Sequence, residues 1–568
     1  MSRRVAVVGA GPAGTALALG LLREGHRVTL VSDRTAQQVR DGGVASSQVT
    51  FESALEAEAA LGITELLPEA PAIARMSYAT ERVDGSTAEF STALGSPARS
   101  LDQRVRLPLL MDEVERRGGT LVVGEASVDD LERLAADHDL VVVSTGRGGL
   151  ASLFPVEAPR TPYDAAQRVA ALTYLRGVAP DPAGPGLRYH CVEGVGECFT
   201  APALTVDGTC DVVVLEAVPG GPLDRWHGVR TPEEHLARLR ELLAEHFPAE
   251  ASRLEGGRLV DDRAWLRGEI APVVRRPVGR LPSGAPVLGM ADVVVLNDPL
   301  TSQGANNAMK SASSYLEAIT AHTGDLDAAW MERTFDNFWR GWAQWATAWT
   351  NAWLQPAQPH QRAVVDAAQR HPAVAERIAA GFDDARLFAP WWFDADAAAD
   401  FLREQVRETR FDIRDLRRAL GQYATGVTVV TTTDATGTPF GMTANSFTSV
   451  SLNPPLVLWA AAKSSPSMPA FADGDRFAVN VLASDQHHLS RQFATSGAEK
   501  FEGVRLLPGD LPLLEGTVAR FECRTTQRVD AGDHLVLLGE IEAFDAPGGE
   551  PLVFHSGFYR LATKHPDL

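Results

Sequence analysis

Cysteine is scarce in this sequence: Cys191, Cys198, Cys210 and Cys523 are the only four among 568 residues. They form no CxxC pair and no even, close spacing. That excludes a disulfide framework and predicts reduced thiols in a cytoplasmic protein. Cys191 and Cys198 could bridge, but nothing else suggests an oxidising compartment. Long apolar runs are also missing. None approaches the roughly 18 residues that a membrane span needs, and no basic-plus-apolar signal leads the chain. Positive charge is in deficit, with a formal net charge of −20. This argues against a nucleic-acid or anionic-membrane surface. There is no low-complexity linker and no internal repeat. No Ser-His-Asp set or metal-ligand cluster stands out, as fits chemistry carried by a cofactor.

What is present starts with the first thirty-odd residues. An apolar run, residues 5–8, ends in Gly9-Ala10-Gly11-Pro12-Ala13-Gly14. A helical pattern follows over 16–22, then a second strand over 28–31 closing in Ser32-Asp33-Arg34. Strand, glycine-rich turn, helix and strand in that order make a dinucleotide-binding βαβ unit. Gly9 allows the tight turn, Gly11 lets the backbone approach a pyrophosphate, and Gly14 lets helix and strand pack closely. The helix N-terminus offers free N–H groups and partial positive charge to the phosphate. An acid to grip the ribose is expected at the end of the second strand. Ser32 stands there with Asp33 next, and either could serve.

At this length two to four domains are expected. Apolar content of 45% and charged content of 22% describe ordinary globular protein. Residues 54–61 and 101–118 read as helices, 121–123 as a strand, and 139–144 as a buried parallel strand ending at Thr145-Gly146. Strand-like segments at 169–175 and 211–218 with a helix at 232–246 predict an inserted sheet forming a substrate-facing wall. A flavin held by the βαβ unit at its ADP end needs a second anchor. Asp292 follows a strand and can bond the ribitol or its phosphate. A helix beginning near Gly304, after Asp298-Pro299, can offer backbone N–H groups to the flavin's polar edge. Trp339, Trp342, Trp345, Trp349 and Trp353 recur at helical steps, and core packing is the expected role for them and for Trp391 and Trp392. Residues 397–410 and 412–423 read as helices, the second capped by Asp412. Beyond them, short β-branched runs at 427–433, 456–461, 477–482, 519–525 and 535–544 predict a compact β-barrel. The boundary falls near residue 408, dividing the chain into 1–408 and 409–568.

The C-terminal motifs are Ala424-Thr425-Gly426-Val427-Thr428, Gly441-Met442-Thr443-Ala444-Asn445-Ser446-Phe447-Thr448-Ser449, Phe477-Ala478-Val479-Asn480, Lys500-Phe501 and Gly532-Asp533-His534. Over 411–562 the chain resembles the short-chain flavin reductases with a split-barrel fold. Thr443, Ala444, Asn445, Ser446 and Ser449 can offer hydroxyls, an amide and backbone N–H groups to a flavin. The resemblance adds Asn480, Lys500 and Phe501 to that site and puts His534 at the nicotinamide of NADH. It also implies a homodimer formed through the barrels.

Residues 1–405 resemble the FAD monooxygenase component of two-component styrene and indole monooxygenases. The carrying residues are the Gly9-to-Gly14 turn, Ser32-Asp33-Arg34, Asp102-Gln103-Arg104 with Pro108, Asp298-Pro299 with Gln303-Gly304-Ala305-Asn306, and Trp349-Thr350-Asn351. The resemblance implies a glutathione-reductase-type, Rossmann-like α/β fold, with Arg104 near FAD and the turn from Gln303 to Asn306 at the isoalloxazine. The chain departs from that family at Ala291-Asp292, where Gly-Asp is usual. Single-component aromatic hydroxylases carry Asp-Gly after the strand at 139–144, serving both FAD and NAD(P)H; here the position reads Thr145-Gly146-Arg147.

The whole resembles a self-sufficient fusion. NADH would reduce FAD in the barrel, and reduced FAD with O₂ would form a C4a-hydroperoxide in the N-terminal domain that epoxidises an aromatic alkene. Ser46, Gln48, Thr50 and Ala98 match substrate positions. Ser46, Gln48 and Ala98 follow the indole-preferring branch and Thr50 neither. Gln48 could accept the indole N–H, a bond styrene cannot make. Two other readings remain: a reduced-flavin halogenase, disfavoured because Trp-x-Trp-x-Ile-Pro is absent, and an NADH:flavin reductase whose N-terminal domain is only a flavin carrier.

Overall fold

Beyond its first residue the strand Arg4–Val8 is fully buried, so both its faces must be covered, as in the middle of a parallel sheet. Arg27–Ser32 and Leu140–Val143 flank it in parallel register. Thr120–Val123 extends the sheet on one side; Pro286–Gly289 and then antiparallel Val278–Arg280 extend it on the other. The helix Pro12–Arg23 covers it with Ala16, Leu17, Leu19 and Leu21. This computed structural model describes residues 2–46, 49–146, 149–407, 413–434, 436–463, 465–495 and 500–563. Contacts divide the chain into two units, Met1–Arg407 and Glu408–Leu568. Among the described residues no helix is long and apolar enough to cross a membrane.

The first unit also carries the inserted sheet, larger than the sequence suggested. Its order is Arg258–Leu259, Val169–Arg176, Gly208–Ala217, Gly196–Thr205, Gly186–Val192, Ala72–Glu81 and Thr87–Arg99, with Trp265–Glu269 also paired to Val169–Arg176. Alternation along Gly208–Ala217 sorts its side chains between two cores. Val212 and Val214 join Tyr189, Trp349, Phe382 and Phe388, whereas Val213 and Leu215 meet Leu239 and Leu243 of the helix Pro232–His246. The tryptophan stripe packs as expected: Trp339 lies in one core and Trp349 in another. Trp339 opens a π-helical turn, Trp339–Ala343, which leads into the helix Gln344–Trp353 that carries Trp349.

In the second unit a seven-stranded antiparallel sheet runs in the order Pro439–Ala444, Thr428–Thr433, Arg476–Val481, Ala519–Ala531, His534–Asp545, Pro455–Ala462 and Thr448–Leu452. The two edge strands are consecutive in sequence, joined only by Asn445, Ser446 and Phe447. Seven flat strands would hold their edges about 29 Å apart, and so short a link reaches about 14 Å at most. The sheet must therefore curl into a barrel with a split where the link crosses. Trp459, Phe471, Phe477 and Leu537 fill it. The Asp412 cap expected from the sequence lies outside the described residues; the helix after it is Ile413–Leu420.

Candidate active site

The βαβ turn is built to admit a phosphate and little else. Gly9 has a φ of 115°, a conformation that L side chains rarely adopt. A Cβ there would also meet Ser144 Oγ at 2.9 Å. A Cβ on Gly14 would run into the Gly9 carbonyl oxygen, whereas one on Gly11 would find no atom within 4 Å. Two glycines therefore serve close packing and the third faces open space. Gly11 caps the helix Pro12–Arg23 without a side-chain bond, and no acid sits in its first turn. An uncapped, unopposed helix start suits an anion. At the end of the second strand the Ser32 hydroxyl donates to the Arg34 carbonyl at 2.7 Å and is buried. The Asp33 carboxylate stands exposed beside Arg34.

Three strand ends converge here. Ser144 Oγ donates to the Gly9 carbonyl at 2.9 Å, and a Cβ on Gly146 would sit 2.6 Å from the Asp292 Cβ. Gly146 thus seats Asp292. Ala291, just before it, holds a left-handed φ of 56°, so the turn that glycine would favour is kept with an alanine.

The second anchor begins at Asp298, which is fully buried. Its Oδ1 accepts from the Leu300 N–H at 3.0 Å and starts the turn Pro299–Thr301. Ser302, at φ 56°, then leads into the helix Gln303–Ala321. Both amides of the expected flavin turn are already engaged. Gln303 Nε2 donates to the carbonyls of Thr301 and Phe382. Asn306 Nδ2 donates to those of Val49 and Ser302, and its Oδ1 accepts from the Phe51 N–H. What faces open space is the backbone at Gly304, where a Cβ would touch nothing, with Ala305 beside it partly exposed. These features fit an FAD.

Asn306 also fixes the candidate substrate segment by holding Val49 and Phe51. Thr50 pairs with Arg99 through both backbone groups, which sets it beside buried Ala98. Gln103 Nε2 donates to Ser46 Oγ at 2.6 Å. Ser46, Thr50 and Ala98 thus gather near the start of the helix Gln103–Arg116; Gln48 lies outside the described residues. Arg104 is buried with its guanidinium on Asp102 and Asp261. Asp102 Oδ1 meanwhile caps the helix at the Arg104 N–H.

At the opposite end of the inserted sheet is a feature without any local sign in the sequence. Glu216 and Asp298 are both fully buried. No donor reaches either oxygen of Glu216 or the Oδ2 of Asp298. Burial, and then the Asp298 charge, push the Glu216 carboxyl well above its usual range, and burial pushes Asp298 up to about 6. The two carboxyls, buried together, each hold a proton more tightly than a free acid. Arg168 is close, but its Nε and Nη2 donate to Glu197 at 2.8 and 2.9 Å and its Nη1 to the Gln167 carbonyl.

In the second unit the link across the split carries the expected flavin residues. Ser446 Oγ accepts from the Ala460 N–H and donates to its carbonyl; Asn445 and Ser449 are exposed. Thr443 Oγ1 donates to the Ser490 carbonyl at 2.7 Å, and Ala444 is buried. Lys500 Nζ donates to the Gly441 carbonyl, and Phe501 packs edge-on against Phe493. Asn480 is buried, with Nδ2 donating to Val429 and Thr431 and Oδ1 accepting from Leu514. His534 pairs with Ala462, two residues along the strand from the Ala460 that Ser446 grips, and its Nδ1 lies 2.7 Å from Asp533. Ser446 and His534 therefore flank one strand end. All four cysteines are free. Among the described residues no group of histidines, cysteines and acids could hold a metal.

An FAD-type βαβ unit with an inserted sheet, followed by a flavin-type split barrel, defines a flavin-dependent monooxygenase fused to a flavin reductase. Residues 3–165 match the pyridine nucleotide-disulphide oxidoreductase family, 146–253 the styrene monooxygenase A putative substrate binding domain, and 420–562 the flavin reductase like domain. The NADH-dependent FMN reductase SmoA of Agrobacterium fabrum is 48% identical over 148 residues, 26% of this chain and 84% of that protein. The styrene monooxygenase StyA of Pseudomonas fluorescens is 29% identical over 332 residues, 57% of this chain and 79% of its own. The reductase component of the trigonelline monooxygenase of Acinetobacter baylyi is 46% identical over 154 residues, 27% of this chain; the match spans 50% of that relative. Through its C-terminal unit the chain belongs to the flavin reductase family, and its N-terminal region is styrene monooxygenase-like. Both families use FAD and NADH.

Proposed function

We propose that NADH reduces FAD in the C-terminal unit, and that the N-terminal unit uses reduced FAD and O₂ to epoxidise an aromatic alkene, indole in preference to styrene. One observation carries this reading. The strand end that single-component hydroxylases use for a nicotinamide is spent here on seating Asp292 against Gly146, and a flavin reductase follows in the same chain. Bound and reduced, the flavin would supply the oxygen activation. Asp33, the Gly11 turn, Asp292 and the Gly304 backbone would hold it, while the apolar sheet face keeps water out and orients the alkene. In the barrel the Asn445–Ser446 link and Ser449 would hold the flavin, with His534 on the nicotinamide. The barrels would pair two copies of the chain.

The test supplies NADH, FAD, ¹⁸O₂ and indole or styrene. One labelled oxygen atom is expected in the organic product, with indole giving 3-hydroxyindole and hence indigo. NADH oxidation that yields only hydrogen peroxide with every alkene would favour a flavin carrier instead. His534→Ala should raise the KM for NADH and leave that for flavin nearly unchanged. The indole preference rests on Ser46, Gln48 and Ala98: Gln48→Val should shift the ratio of kcat/KM values toward styrene, by about tenfold if one buried hydrogen bond is lost.

A further inference from the structure

Beside the inserted sheet, at the end away from Ser46, Thr50 and Ala98, lies a cavity of about 590 Å³. That is the size of a small-molecule site. One wall is a continuous aromatic surface. Tyr78 stacks on Tyr189 at 5.4 Å, Trp353 stands edge-on to both, and Trp392 stacks on Trp353 at 5.9 Å. The cations around the cavity are already neutralised. Arg168 is held by Glu197, Arg82 by Asp366 and Arg362 by Glu193. An anion would have to break an ion pair to bind, whereas a neutral ring meets flat aromatic faces.

The cavity is also set apart from the flavin turn. Phe382 lies edge-on to Trp353 at 5.7 Å on one side and meets Phe51 at 6.3 Å on the other. Its carbonyl is held by Gln303, and the Phe51 N–H by Asn306. One ring layer, pinned through its backbone, therefore separates the cavity from the turn.

We propose that this cavity is a second ligand site, taking a neutral aromatic molecule distinct from the alkene being oxygenated. Binding to it needs neither NADH nor turnover, so it stands or falls apart from the monooxygenase reading. The probe is acetophenone, titrated by calorimetry into the full chain, with benzoate as the anion of similar size. Saturable one-to-one binding of acetophenone is expected, with benzoate at least tenfold weaker. Val365→Trp, which fills the cavity, should abolish binding. Should that variant fail to fold, Ala357→Trp at the exposed rim, which fills the cavity mouth, should weaken binding at least fivefold. Equal binding of benzoate, or an unchanged isotherm in a folded Val365→Trp or Ala357→Trp chain, would overturn the site. Acetophenone acting as a simple competitor of the alkene would overturn its being a second one.

Discussion

Ala291 shows how much a single backbone angle can carry. A left-handed φ costs a residue with a Cβ about 1–2 kcal/mol, and only part of that is offset by alanine's lower entropy in the unfolded chain. Ala291→Gly should therefore make the chain roughly 1 kcal/mol more resistant to urea, without loss of FAD binding. Glu216 offers a test by pH. Its carboxyl and that of Asp298 are both raised, so the native chain retains protons that the unfolded chain has released. Stability should then fall as pH rises above the ordinary carboxyl range and through about 6, by up to ~1.4 kcal/mol per pH unit for each retained proton. Glu216→Gln, whose amide can donate to Asp298, should flatten that fall in denaturation curves taken from pH 4.5 to 7. At this scale the sequence was partly legible. The family resemblance singled out Gln303 and Asn306, but not the direction of their amides, because their partners Val49, Phe51 and Phe382 are remote in the chain. The Glu216–Asp298 pair could not be read at all, since each acid is unremarked among its own neighbours and only the fold brings them together.

Periodicity and apolar runs were enough for the elements with strong patterns. The βαβ unit, the helix Pro232–His246 and the barrel strands all stand close to where their residues place them. The hairpin Ala72–Glu81 with Thr87–Arg99 was not legible. Alanine, serine, threonine and arginine fill much of it, and alternation between such residues carries little contrast. Its place in the sheet comes from parallel pairing with Gly186–Val192, a contact no local pattern encodes. At the turn between the first strand and helix, Gly14→Ala forces a methyl onto the Gly9 carbonyl. This variant should lose measurable FAD binding to the N-terminal unit while NADH-dependent flavin reduction persists, a split that equilibrium dialysis and an NADH assay would reveal.

The change of grammar near residue 408, from alternating helices and strands to short strands alone, is the largest feature the sequence displays, and the two compact units meet between Arg407 and Glu408. We expect a 408–568 fragment to reduce flavin with NADH, and a 1–407 fragment to oxygenate only when supplied with reduced FAD. NADH consumption by the latter alone would refute this division. Joining the halves should raise the local concentration of reduced flavin and limit its loss to autoxidation, so the intact chain should give more product per NADH than an equimolar mixture of fragments. The short link across the barrel's split has a further consequence. Asn445, Ser446 and Phe447 join the two free edges of the sheet, and the same link is the segment we propose to hold the flavin. Cofactor grip and closure of the barrel are thus one mechanical element: lengthening it by two glycines should slacken both, so that flavin affinity and melting temperature fall together, whereas replacing its side chains at constant length could lower the first alone.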